Sequence, residues 1–261
     1  MILSKNMKER RKNNLLSFLI EREEIFMEKL QIKAQVTKEE NPEIPGLKGY
    51  ASIYIGGMQI EGIKIMERGG YIFADLPQKK EDREGQTTYS DIVVFGNGKE
   101  DNEYSKRLKN AVLNTVIKAY EKDGRETSEE RETNFNFEPD KVSTYVRPVT
   151  SEKIKGVSTL YYGNAIRINP VFLKELENKQ TNERNLLINF PGYYDKNNEF
   201  KEYIHPIETG LRKKIQESCI EQYKKSFEKQ ENSNEEPIIE NTDFYKEMEE
   251  NSSSNTEEEE I

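Results

Sequence analysis

The sequence predicts an α+β chain of two tandem repeats, each an antiparallel β-sheet followed by a C-terminal amphipathic helix. Three observations predict it: two helix-like runs with one shared apolar spacing, two series of alternating stretches before them, and the same order of features in both. The second helix-like run carries Leu211, Ile215, Cys219, Ile220 and Tyr223, whose steps of 4, 4, 1 and 3 draw one face of a 3.6-residue helix. Shifted back by 103 residues, Leu108, Val112, Val116, Ile117 and Tyr120 repeat the same steps, and Lys109 falls opposite Arg212.

The elements follow in the same order in each unit. Leading strands are "KLQIKAQV" (29–36) and "KVSTYVRPV" (141–149). Next come alternating strands broken by Gly56–Gly57 and Gly69–Gly70 in the first unit and by Gly163–Asn164 in the second, where hairpin turns need residues tolerant of positive φ. An apolar strand ending in Pro follows, "YIFADLPQ" (71–78) against "LLINFPGY" (186–193), and then "TTYSDIVVF" (87–95) against "NEFKEYIHP" (198–206). The polar stretch between the units reads as a linker. The expected organisation is an N-terminal extension at 1–26, repeat one at 27–123, a linker at 124–139, repeat two at 140–227 and a tail at 228–261.

Composition narrows the class. Of the 261 residues 33% are apolar and 34% charged, with no Trp, so part of the chain is expected to stay unpacked. One cysteine, Cys219, excludes an internal disulfide and a cysteine-based zinc cluster, and a reducing, cytoplasmic setting is the default. No stretch approaches the roughly 18 apolar residues that span a bilayer. "LLSFLI" (15–20) is shorter than a signal-peptide core and runs into "EREE". Residues 228–261 hold thirteen Asp/Glu and two Lys, which leaves the other 227 residues at about +2 within a total of −9. The tail reads as disordered, either simply solvating or competing with nucleic acid for the protein's own basic patches. The first twenty-six residues are either an untranslated lead before a true start at Met27 or a short basic helix.

Catalysis finds no support. The only histidine, His205, has no nucleophile spaced with it, Cys219 falls on an apolar helix face, and "GGMQIEG" has neither the spacing nor the Lys of a phosphate loop. No catalytic residue, metal site or cofactor is expected, and the protein is not expected to be an enzyme.

Three stretches in sequence order resemble the SpoVG (stage V sporulation protein G, septation regulator) family. They are "GYASIYIGGMQIEGIKIME", "FADLPQKK" and "FKEYIHPIETGLRKKIQESCIEQY". Members are single units of about one repeat, so this chain looks like two in tandem. The resemblance implies a small, non-enzymatic bacterial regulator that binds DNA and RNA. Because the family forms homodimers, it also implies an intrachain pseudo-dimer, with a homo-oligomer left open. The units depart from the pattern in complementary ways. Repeat one keeps a basic loop (Lys79, Lys80, Arg83) but has Val93, Val94 and Phe95 where Ile-His-Pro belongs, and it inserts "GNGKEDNE" (96–103). Repeat two keeps Ile204, His205, Pro206 and Ile207 but has Gly192, Tyr193 and Tyr194 in place of the basic pair.

The candidate nucleic-acid contacts are therefore Lys79, Lys80 and Arg83 in the first repeat and Lys196, Lys201, His205, Arg212, Lys213 and Lys214 in the second. Arg212, Lys213 and Lys214 sit in the first turn of a helix, where cations oppose the helix dipole unless an anion joins them. Phosphate is the obvious anion, and Tyr193, Tyr194 and Phe200 offer stacking faces nearby. A solvated charge run is the plainer alternative. His205 reads either as a hydrogen-bonding strand-to-helix corner or as a phosphate contact, with Pro206 holding it extended and Thr209 or Glu208 capping the helix. The overall expectation is a sequence-tolerant nucleic-acid-binding regulator; the alternative is a protein-interaction module that kept the fold and lost that affinity.

Overall fold

A computed structural model describes residues 28–83, 86–96, 103–177, 184–195 and 197–233. The first half contains β1 (Glu28–Lys38), β2 (Leu47–Ile55), β3 (Met58–Arg68), β4 (Tyr71–Asp75), β5 (Gln78–Arg83), β6 (Gln86–Asp91), β7 (Val93–Phe95) and α1 (Glu103–Glu121). Then come β8 (Glu126–Phe137), β9 (Val142–Pro148), β10 (Ile154–Tyr162), β11 (Ile166–Glu177), β12 (Arg184–Asn189), β13 (Gly192–Tyr194), β14 (Phe200–Glu202), β15 (Ile204–Pro206) and α2 (Thr209–Ser233). The expected extension at 1–26, the start at Met27, most of the insertion at 96–103 and the tail beyond Ser233 lie outside the described residues.

Among the described residues, fifteen strands against two helices make the fold mostly antiparallel β, which corrects the expected α+β class. Segments read as loops account for much of the difference. The largest is the supposed linker: residues 126–137 form β8, paired antiparallel along β1 at the edge of a six-stranded sheet. Its charges hid an alternation. Thr133 and Phe137 point inward and are buried, while Glu130 and Glu132 point to solvent, and Lys29 pairs with Glu132 at 2.9 Å across the strands. Thr133 Oγ1 donates to the Leu30 carbonyl at 2.8 Å, beside the point where the β1–β8 register shifts.

The six-stranded sheet runs β15–β3–β2–β1–β8 with β4 also on β3, and the five-stranded sheet runs β12–β11–β10–β9 with β7 on β11. Two short strands therefore cross over. β7, from the first half, joins the second sheet through Val93–Ile168, Val94–Arg167 and Phe95–Ile166. β15, from the second half, joins the first sheet through Ile204–Ile60, His205–Gln59 and Pro206–Met58. The two registers correspond position by position.

Bulges keep the apolar side chains inward where their spacing breaks the period of two. Ile60 and Ile63 are three apart yet both buried, because Glu61 and Gly62 together oppose Ser52, with Gly62 at φ 73°. In the second sheet Asn169 and Pro170 together oppose Thr159 and keep Ile168 and Val171 inward. The hairpin turns take the positive φ that their residues allow: 56° and 76° at Gly56–Gly57, 63° and 57° at Gly163–Asn164. Both turns close on the ring of Phe137, which a Cβ at Gly56 or Gly163 would overlap. Phe137 also meets Tyr162 edge-on, with centroids 5.2 Å apart.

Each helix covers one sheet. Leu108, Val112 and Val116 of α1 are buried over β1 and β8, and Ile215 and Cys219 of α2 are buried over β9 and β10. Each such residue stabilises the fold by roughly 1.5–3 kcal/mol if fully removed from water. One continuous core joins the two layers. Among the described residues, no helix is long and apolar enough to cross a membrane.

Candidate functional site

The hairpins β5–β6 and β13–β14 hold matching places, each just ahead of a crossing strand. Each is tied to the helix that follows by one ion pair: Lys109 Nζ to Asp91 Oδ2 at 2.7 Å in the first half, and Arg212 to Glu202 in the second. The Arg212 guanidinium also lies 5.3 Å from the centre of the Phe190 ring. These pairs explain a cation early in the helix without any external anion, since the hairpin's carboxylate already offsets it.

The same holds for Lys201, Lys213 and Lys214 of the predicted second-half patch. Lys201, in β14 opposite Tyr193, bonds Glu199 at 2.6 Å, and that hydrogen bond, with the carboxylate's charge, raises its pKa. Lys213 faces Glu217 at 3.9 Å and Lys214 faces Asp140 at 2.9 Å. Lys196 lies outside the described residues. His205 is half-buried in β15, opposite Gln59, and Pro206 closes that strand shortly before α2 begins at Thr209. Glu208, rather than Thr209, takes the N-cap place of α2, its carbonyl accepting from the Arg212 amide at 3.2 Å. The aromatic side chains pair among themselves, Tyr193 with Tyr203 at 4.8 Å and Tyr194 with Phe200 at 5.4 Å. Cys219 is fully buried with Sγ 3.6 Å from Ser158 Oγ, and burial raises its thiol pKa, so it stays protonated.

The first half is arranged differently. Lys79 and Lys80 lie in β5, opposite Ser90 and Tyr89 of β6, and Arg83 closes that strand opposite Gln86. Beside the hairpin lies a cavity of about 390 Å³. Lys106 and Lys109 line it from α1, Tyr89 and Asp91 from β6, Val94 from β7, and Arg167 from β11 of the other half. Among the described residues that line it are three cations and one carboxylate, and Tyr89 is 64% exposed at the rim. Sequence reasoning missed Lys106, Lys109 and Arg167 as site residues. Lys109 had a signal, its alignment with Arg212. Arg167 had none, because only the crossing of β7 brings β11 to this helix.

Fold and site together define an antiparallel β protein built on two large sheets and two separate hairpins, with a cation-lined groove where its halves meet. No family model matches the chain, and no solved structure matches it significantly.

Proposed function

We infer that this protein is a cytoplasmic nucleic-acid-binding regulator of the SpoVG type, gripping phosphate backbone on the side formed by β5–β6 and the start of α1. One observation carries the reading: Lys106, Lys109 and Arg167 converge on one cavity beside the exposed Tyr89, next to a hairpin bearing Lys79 and Lys80. Cations gathered from separate elements match a polyanion, and phosphate contacts of this kind bind without reading sequence. Tyr89 adds a stacking face of the sort that single strands use.

The test is a titration of the full chain with labelled single- and double-stranded DNA and RNA at several salt concentrations. With about three phosphates neutralised, log K falls against log salt with a slope of about −2.7 on duplex DNA and about −2 on single strands. The joint charge reversals Lys79→Glu, Lys80→Glu and Lys106→Glu abolish that binding at moderate salt; unchanged affinity in a folded variant overturns the reading.

A second reading, a protein-interaction module without nucleic-acid affinity, is favoured by the second half, where Lys201, Arg212, Lys213 and Lys214 each face a carboxylate. It predicts no oligonucleotide binding even at low salt.

A further inference from the structure

We propose that residues 239–248, which lie outside the described residues, pair with the open edge of β9 and cover it as β8 covers β1. This does not depend on the nucleic-acid reading.

The two leading strands differ at their edges. Ile32 pairs with Ile55 just before Gly56, and Val142 pairs with Tyr162 just before Gly163. Counted from these turns, Ala34 and Val36 of β1 correspond to Thr144 and Val146 of β9, and all four side chains are buried. In β1 the edge is taken. The Lys38 amide donates to the Arg125 carbonyl at 2.9 Å, and the antiparallel alternation gives Val36 and Ala34 the next backbone pairs, with Thr127 and Glu129 of β8. In β9 the edge is open. The Gly163 amide donates to the Lys141 carbonyl and the Val149 amide to the Lys155 carbonyl, so the odd residues of β9 bond β10. Thr144 and Val146 therefore turn their backbone groups outward, and among the described residues no strand meets them.

The helices repeat the contrast. Tyr104 and Arg107 of α1 lie against the Phe135 ring of β8, and Thr127 Oγ1 donates to the Ala119 carbonyl. Along that side Ala111, Thr115 and Ala119 are buried. Their counterparts 103 residues on in α2, Lys214, Ser218 and Gln222, all keep partial exposure.

Chain order and pattern name the occupant. β8 is the segment that follows α1, and the segment that follows α2 is rich in acids as β8 is. "NTDF" (241–244) repeats the Thr-x-Phe of "ETNF" (132–135). With Thr242 and Phe244 inward, as Thr133 and Phe135 are, a period of two also turns Met248 inward and sends Asp243 and Glu247 to solvent. The chain reaches. Tyr223 lies against Gly156, which pairs with Pro148 at the end of β9, and α2 runs ten residues further to Ser233. That overshoot of about 15 Å is returned by about five extended residues, with Pro237 among them rather than in the strand.

Hydrogen exchange on the full chain, read amide by amide by NMR, tests the pairing. The Thr144 and Val146 amides and alternate amides of 239–248 exchange at least about tenfold more slowly than in an unstructured chain. Thr242→Pro with Phe244→Pro removes two strand donors and abolishes both protections, while β8 amides stay protected and show the body folded. Sedimentation keeps both proteins at the monomer mass. Exchange of 239–248 at the unstructured rate overturns the proposal, and so does protection of Thr144 and Val146 that ignores the prolines. A dimer that the prolines dissociate also overturns it, because the covering strand then comes from a second copy.

Discussion

At the centre of each crossing strand one residue meets the other half's sheet: Val94 opposite Arg167 on one side, His205 opposite Gln59 on the other. The frames around them match, down to an ion pair between hairpin and helix, Lys109–Asp91 against Arg212–Glu202. What differs is the chemistry placed on that frame. One side gathers three cations around a cavity. The other sets an acid beside each of Lys201, Arg212, Lys213 and Lys214 and lays Arg212 on Phe190. A shared backbone pattern thus fixes where a side chain stands, and the local charge balance decides whether that place can take an anion.

The comparison is open to attack at several points. It assumes that both frames belong to one body, pinned at Phe137 between the two hairpin turns. Phe137→Ala is therefore expected to cost about 3–5 kcal/mol in chemical denaturation; a cost near zero would mean that β8 does not join the halves. Next in size is a paired reversal. Lys106→Glu lowers oligonucleotide affinity about tenfold, whereas Thr209→Glu, at the matching helix position, changes it by less than about twofold. Equal losses would erase the difference between the sides.

The two ion pairs rank third. Both are partly exposed, so Lys109→Ala and Arg212→Ala are each expected to lower stability by about 0.2–1 kcal/mol, as thermal unfolding can measure. Arg212→Ala should stand at the upper end, because it also removes the contact with Phe190. The smallest effect is that of Lys213→Glu with Lys214→Glu. With Glu217 and Asp140 already beside these lysines, anisotropy titrations should register only about a twofold loss of affinity. A loss matching that of Lys106→Glu would return the site to the second half.

Much of the local structure was legible because it rests on neighbours in the chain. The steps from Leu108 to Val116 and from Leu211 to Cys219 marked the buried helix faces, and Gly56–Gly57 and Gly163–Asn164 marked turns that demand positive φ. β8 was not legible. "ETSEERETNFNF" carries more charge than apolar area, and it becomes a strand only because the β1 edge supplies hydrogen bonds and a core beneath Thr133 and Phe137. The predicted basic patch failed for a related reason, since a run of Arg and Lys says nothing about the carboxylates that folding brings to it.

The sequence by itself determined the buried helix faces and the hairpin turns, because hydrophobic periodicity and backbone sterics act between residues a few positions apart. Only the tertiary structure decided the class, the partners of the crossing strands and the company each cation keeps. Those depend on backbone hydrogen bonds and charge pairs between segments far apart in the chain, such as Val94 with Arg167 and Lys214 with Asp140.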